Sequence, residues 1–287
     1  MDYVRRIAES QGGSVTRSQL EAFTFDGVII KLLDQSRGIR NPQQLPATLT
    51  IGTFLNSPYR DELGPEGLHR YDMRAGPADS GDNRKLRLAS DHGVPLIWLY
   101  QTKDRNFVPI APVYLTGLDS GGRSYVLALG EDLMLLSNAG LGSTESVLEK
   151  RFARTMSKRR LHQPLFRANV MAAYQRKCAI CSLAHADLLD AAHIVEDREE
   201  GGDPVVPNGL SLCKIHHAAY DRQILGISPD RIVKVDSDVL SEVDGPMLKH
   251  GIQELHNSPL RELPVRTLDW PDSDRLALRF ERFLQGA

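Results

Sequence analysis

The residues of this 287-residue chain best suited to chemistry crowd into one stretch, Cys178 to Asp221. It holds all three cysteines, four of the nine histidines, and an asparagine, Asn208, nine residues ahead of the last of those histidines, His217. Cys178 and Cys181 form a C-x2-C knuckle, and Cys213 with His216 forms a C-x2-H knuckle. Each short turn sets two soft ligand atoms on one edge of a tetrahedron, so the two knuckles make the donor set of a closed, structural Zn2+ site. Three inert buried thiols and a surface histidine are the ordinary alternative. Here, however, the ligands use up every cysteine of the chain. Such a site has no use for His193, Asn208 or His217.

Those three residues, in LDAAHIV, PNGLSLC and CKIHHAAYD, carry a resemblance to the HNH (ββα-metal) endonucleases. The resemblance covers about 50 residues and implies a histidine on a first strand, an asparagine on a second and a histidine on the helix that follows. His193 then suits a general base that takes a proton from water attacking a phosphodiester, because its intrinsic pKa lies near neutrality. Asn208 would hold that imidazole, or the loop carrying it, in orientation. His217 and Asp221 are four apart, so on a helix they share a face and both reach one divalent cation. Mg2+, Mn2+ or another divalent transition metal fits there, since a mixed His and carboxylate set does not select among them. Many members of the family place a metal ligand immediately before the base, where this chain has Ala192. Residues two apart on a strand point the same way, so Asp190 is either a replacement ligand or a solvated turn carboxylate. His185 reads as a loop histidine.

Positioning these groups requires two strands and a helix, and the remaining chain is long enough for a second core. With 41% hydrophobic and 25% charged residues, the composition is that of a soluble globular protein rather than a disordered or fibrous one. No apolar run approaches a membrane span, and MDYVRRIAESQGG lacks a signal-peptide core, so a cytoplasmic, prokaryotic location is expected. Metal-committed cysteines fit a reducing compartment. The net charge of −2 gives no global sign of nucleic-acid binding. Charge is local instead: residues 149–167 carry seven Lys/Arg against one Glu, either as a solvated face or as a phosphate contact.

Upstream, Val15, Leu20 and Phe23 could share an apolar helix face in a short N-terminal cap. From about residue 46 to 136 the pattern changes to short strands, ATLTIGTFL, VPLIWLYQT, NFVPIAPVYLTGL and SYVLAL, which suggests a small curved β-barrel. The run PYRDELGPEGLHRYDMRAG, followed by DNRKLRLASDHGVPLIWLY, resembles the SRA branch of PUA-like barrels. That resemblance implies a flipped modified cytosine held between Tyr59 and Tyr71, read by Asp61 or Glu62, with Asn83 following the pocket. Two π-faces and an acceptor for an exocyclic amine are what such a base needs. The alternative is that both tyrosines belong to the barrel core, and Trp98 and Tyr100 read as core or pocket wall. Only eleven residues separate Tyr71 from Asn83, too few for the long finger loop of eukaryotic relatives.

The fold class expected is therefore α+β: an N-terminal PUA/SRA-like curved β-barrel with flanking helices, residues 1–140, and a basic linker or helix, 141–165. A C-terminal zinc-stabilised ββα-metal (HNH) nuclease domain follows, residues 166–287. SNAGLGSTES reads as a flexible stretch at the boundary, ILGISPDRIVKVDSDVL as a strand pair, and the last segment as a helix packing through Leu276, Leu278, Phe280 and Phe283. The order of reader and cutter resembles the bacterial SRA–HNH modification-dependent restriction endonucleases. Double-stranded DNA carrying modified cytosine is the implied partner, and a homodimer is expected because one HNH site cuts one strand. The alternatives are an HNH nuclease whose barrel reads something else, and a non-enzymatic, zinc-stapled DNA-binding protein.

Overall fold

Leu96–Gln101, reading LIWLYQ, is apolar on both faces, the pattern of a strand covered on both sides. Leu96, Ile97, Trp98 and Leu99 are all buried. In the computed structural model, which describes residues 1–34, 38–42, 45–55, 69–119, 121–138 and 147–286, this strand lies inside a six-stranded mixed sheet. It pairs in parallel with Thr50–Thr53 and antiparallel with Phe107–Leu118. The long strand then pairs with Ser124–Ala128, which pairs with His69–Asp72. At the other edge Ile39–Arg40 joins Thr50–Thr53. The four strands read from the sequence all form. The two edge strands were not visible in it, because each is short and punctuated by polar residues.

The expected barrel closure is not made by a backbone ladder: among the described residues the sheet is open, with Ile39–Arg40 and His69–Asp72 at its ends. A side chain bridges the ends instead. The Tyr71 hydroxyl donates to the Gly38 carbonyl oxygen at 2.9 Å, and the Gly52 amide donates to the same oxygen at 2.6 Å. A Cβ on Gly38 would lie 2.7 Å from the Tyr71 hydroxyl, so the approach requires glycine there. Tyr71 is buried, and Trp98 is fully buried with its Nε1 donating to Thr53 Oγ1 at 2.8 Å.

Helix Gly81–Asp91 buries Asn83, Leu86 and Ala89. At the N-terminus, helices Asp2–Ser10 and Arg17–Glu21 flank Val15. Thr16 and Gln19 form a reciprocal capping box that starts the second of them. Val15 and Leu20 pack with Leu99 and Phe107.

The chain divides into two compact units, Met1–Ala8 with Ser14–Pro164, and Glu9–Gly13 with Leu165–Ala287. Helix Val147–Ala173 runs through the division and contains Pro164. The SNAGLGSTES stretch lies largely outside the described residues. In the second unit, Leu189–His193 and Gly209–Cys213 pair antiparallel, and helix Lys214–Asp221 follows directly. A hairpin of Leu225–Ile227 with Val233–Val235 comes next, and helix Ser273–Gly286 ends the unit, burying Leu276 and Phe283. Leu278, expected to pack, is 41% exposed, because two residues of helix turn it away from Leu276. Among the described residues no helix is long and apolar enough to cross a membrane.

If the Tyr71 hydroxyl bridges the sheet edges, Tyr71→Phe removes one buried hydrogen bond and leaves the Gly38 carbonyl with one donor. We expect a loss of about 1 kcal/mol in denaturant unfolding followed by Trp98 fluorescence. An unchanged midpoint would show that the bridge contributes nothing.

Candidate active site

Two short strands and one helix, joined almost without linkers, carry the site, and the knuckles fix both ends of that assembly. The Sγ atoms of Cys178, Cys181 and Cys213 and a ring nitrogen of His216 lie within 4.8 Å of one another. His216 Nδ1 is 3.2 Å from Cys213 Sγ and 3.5 Å from Cys178 Sγ. Its Nε2 lies 2.8 Å from the Gly251 carbonyl oxygen. That contact puts the proton on Nε2 and turns the Nδ1 lone pair toward the sulfurs, the arrangement of a ligating histidine held by an outer partner. The cluster is largely buried. Burial opposes a charge on His216, yet the Cys178 and Cys213 sulfurs push its pKa up to about 10. Hydrogen bonds from Cys178 and Cys181 hold the Cys213 thiol well below its ordinary value. Three sulfurs and one imidazole gathered this closely fit a structural metal ion.

The knuckles also stitch the module together. The Ala179 amide donates to the Ser211 carbonyl at 2.7 Å, and the Cys213 amide lies 3.3 Å from Cys178 Sγ. Cys213 both ends its strand and stands at the N-cap of helix Lys214–Asp221. His216 faces the buried cluster, while His217, the next residue, is turned about 100° around the helix and is 26% exposed.

His193 is directly opposite Gly209 in the ladder. A Cβ on Gly209 would meet Val170 Cγ2 at 2.5 Å and Phe166 Cζ at 2.9 Å. Phe166 therefore occupies that space, and its ring stacks on His193 with centroids 4.0 Å apart and planes at 19°. His193 Nε2 is buried without a hydrogen-bond partner. Burial lowers the His193 pKa, and the His217 ring lowers it further, while Asp197 pulls the other way. The net shift is downward, which favours the neutral ring.

Asn208 is fully buried. Its Oδ1 accepts from the Val195 amide at 2.9 Å, and its Nδ2 donates to the carbonyls of Val195 at 2.9 Å and Asp203 at 3.1 Å. The side chain thus pins the loop that leaves His193, rather than the imidazole. His217 Nε2 is 3.3 Å from Asp221 Oδ2, a spacing at which both atoms can bind one ion, and Asp221 is largely exposed. Asp190 is on the opposite edge of the His217 ring, 3.3 Å from Nδ1. It does not converge with Nε2 and Asp221, so the structure sets it apart from the ligand set read from the sequence. Ala192 is fully buried in the core, and His185 is exposed.

One participant was missed in the sequence. Arg279, on the last helix, is 3.9 Å from Asp221 Oδ1, donates to the Tyr220 carbonyl at 3.2 Å and covers the Tyr220 ring. Arg275 and Arg282 of the same helix pair with Asp203 and Glu199 in the loop after His193. The spacing of three arginines at four and three residues was the available signal.

In the other unit, Tyr59, Asp61 and Glu62 lie outside the described residues. Tyr71 has its ring buried and its hydroxyl engaged by Gly38. Asn83 accepts from the Arg74 amide at 3.0 Å and donates to the carbonyls of Arg74 at 3.0 Å and Pro77 at 3.1 Å. It lines a cavity of about 290 Å³ with Arg74, Ser80 and Asp82. In this conformation the Tyr71 ring is buried and the Asn83 amide nitrogen is committed to backbone carbonyls. The basic helix is divided in use: Arg160 pairs with Asp132, Arg167 with Asp190, and Lys158 and Arg159 are exposed.

Gly209→Ala would press on Phe166 and through it on His193. We expect about 1–3 kcal/mol of destabilisation in denaturant unfolding. A fully stable variant would show that the close approach is not required.

Residues 178–228 match the family model described as HNH endonuclease. Among solved structures, one described as "Modification dependent TagI restriction endonuclease" aligns at 16% identity over 93% of this chain and 90% of that one, with a TM-score of 0.34. A second, a Type IV phosphorothioation-dependent restriction endonuclease, ScoMcrA, aligns at 15% identity over 65% of this chain and 48% of that one, with a TM-score of 0.28. The chain thus spans about half the length of that protein. No curated protein matches. The stretch that brings His193, Asn208 and His217 together is an HNH endonuclease domain, and the chain that carries it is a nuclease.

Proposed function

We propose that this chain is a modification-dependent DNA endonuclease in which the HNH module cuts the backbone and the N-terminal unit reads modified cytosine. The observation that carries the cutting step is the buried, unpartnered Nε2 of His193 on the module that also carries the His217–Asp221 pair. An imidazole base and a His–carboxylate pair able to hold a cation, carried on one module, are the minimum apparatus for metal-assisted phosphodiester hydrolysis.

In this mechanism His193 takes a proton from water as the oxygen attacks phosphorus. The bond from phosphorus to the leaving sugar oxygen breaks, and that oxygen is protonated from solvent. A divalent cation supplies charge stabilisation at the phosphate and the leaving oxygen when bound. His217 and Asp221 would hold it, with Mg2+ and Mn2+ both compatible with that donor set. Asn208 keeps the loop after His193 from shifting the base, and Phe166 keeps the ring plane. Zn2+ is the metal proposed for the cysteine cluster, because three cysteine sulfurs and one imidazole within 4.8 Å of one another are the donor set it prefers.

The reading of modified cytosine rests on the SRA resemblance and on the order of the two units. Tyr59 with Asp61 or Glu62 would meet the flipped base, while Tyr71 and Asn83 shape the surrounding fold. A homodimer would place two HNH sites on opposite strands. The engagement of Tyr71 and Asn83 in the fold favours a second reading, in which the N-terminal unit reads another modification or unmodified DNA.

The test is digestion of otherwise identical DNAs carrying cytosine, 5-methylcytosine, 5-hydroxymethylcytosine or 6-methyladenine, with Mg2+, Mn2+ and later divalent metals. The expected result is cleavage of the cytosine-modified DNAs at least tenfold faster than of plain DNA. Equal cleavage of all four sinks the reader assignment, and no cleavage under any condition sinks the nuclease mechanism.

A further inference from the structure

We propose that Asp190 is a positioning residue for His217: its carboxylate accepts a hydrogen bond from Nδ1–H of the imidazole and thereby presents Nε2, beside Asp221, to the divalent cation. The inference rests on the metal role proposed above for His217.

Asp190 stands opposite Leu212 in the ladder, one pair from its end at Cys213, where the helix begins. Lys214 and His217 are three apart on that helix and share a face, and both reach back to this one carboxylate. Asp190 Oδ2 is 3.3 Å from His217 Nδ1. Lys214 Nζ is 2.6 Å and 2.7 Å from the two oxygens, and Arg167 is 3.2 Å from Oδ1. Asp221 is on the other edge of the ring, 3.3 Å from Nε2.

The two ring nitrogens point in diverging directions, so a carboxylate seated at Nδ1 does not share an ion bound at Nε2. What it does there is chemical. A neutral imidazole carries one proton, and whichever nitrogen holds it cannot ligate. An Nδ1–H bond to a carboxylate fixes the proton on that side, sets the plane of the ring and makes Nε2 a stronger donor to the metal. Lys214 and Arg167 complete the device: between them they hold the carboxylate at a fixed place and balance its charge. The sequence thus substitutes an apolar core residue, Ala192, at the usual ligand position and uses the same strand face, two residues earlier, to orient the ligand that remains.

The experiment uses the full chain, with Mn2+ alone as the probe and the metal content of the cysteine cluster monitored throughout. In the parent, 15N imidazole spectra should show His217 as the Nδ1–H tautomer. Asp190→Asn and Asp190→Ala should weaken Mn2+ binding about 10–100-fold in calorimetry and populate the Nε2–H tautomer, and Asp190→Glu should recover part of both. An Nε2–H ring in the parent overturns the proposal whether or not any variant folds. Unchanged Mn2+ affinity in a folded Asp190→Asn or Asp190→Ala also overturns it. His217→Ala separates the two ideas. If it removes no Mn2+ from the parent, the metal role of His217 has failed and the proposal with it. If it removes Mn2+ while the Asp190 variants bind normally, only the positioning role has failed.

Discussion

A pair of strands five residues long does not hold itself together in water, and the chemistry of this protein depends on one such pair. What supplies the missing stability is the convergence of Cys178, Cys181, Cys213 and His216 on a common point. The first knuckle is bonded to the second strand through Ala179 and Ser211, and the second knuckle ends that strand and begins the helix. Binding a structural metal of this kind is worth on the order of 10 kcal/mol in small domains, comparable to the whole stability of a domain. Once the knuckles are fixed, the register that sets His193 against Gly209 and the phase of the helix that presents His217 follow with little freedom left.

The buried polar groups of the module are treated unequally. Asn208 is fully buried and makes three backbone hydrogen bonds, so its burial is compensated. His193 Nε2 is buried and makes none. An unsatisfied buried nitrogen costs about 1–3 kcal/mol, which the surrounding core tolerates because Phe166, Val170 and Leu210 pack tightly there. The last helix adds a further restraint, since Arg275 and Arg282 pair with acids in the loop between His193 and Asn208. That loop is therefore held from inside by an amide and from outside by guanidinium groups.

The second unit was legible in the sequence because it carries two knuckles, C-x2-C and C-x2-H, and, between and after them, the residues of the HNH resemblance. That resemblance implied the strand pair and the helix, and the knuckle spacing assigned His216 rather than His217 to the cysteine cluster. The contact of Asp190 with His217 Nδ1 was not legible, since alternation along a strand gives its face but not which edge of an imidazole it meets. Arg279 comes from 58 residues beyond Asp221, and no local pattern ties the two. In the first unit, the buried strand LIWLYQ and its neighbours could be read from apolar runs. The open sheet could not, because its edges are joined by one tyrosine hydroxyl and a carbonyl at Gly38. Two tyrosines twelve apart carry no mark that distinguishes a base-stacking face from a core ring; Tyr71 is buried, with its hydroxyl on the Gly38 carbonyl.

The central claim is that neighbouring histidines serve two different metal sites, one that holds the fold and one that acts on phosphate. Co2+ substitution tests it directly, because a tetrahedral thiolate site gives intense visible bands that a histidine–carboxylate site does not. His217→Ala should retain those bands and the folded state while losing DNA nicking, whereas His216→Ala should lose the bands and the fold of the module together. A His217→Ala protein that loses the thiolate bands, or that still nicks DNA at the parent rate, would contradict the account.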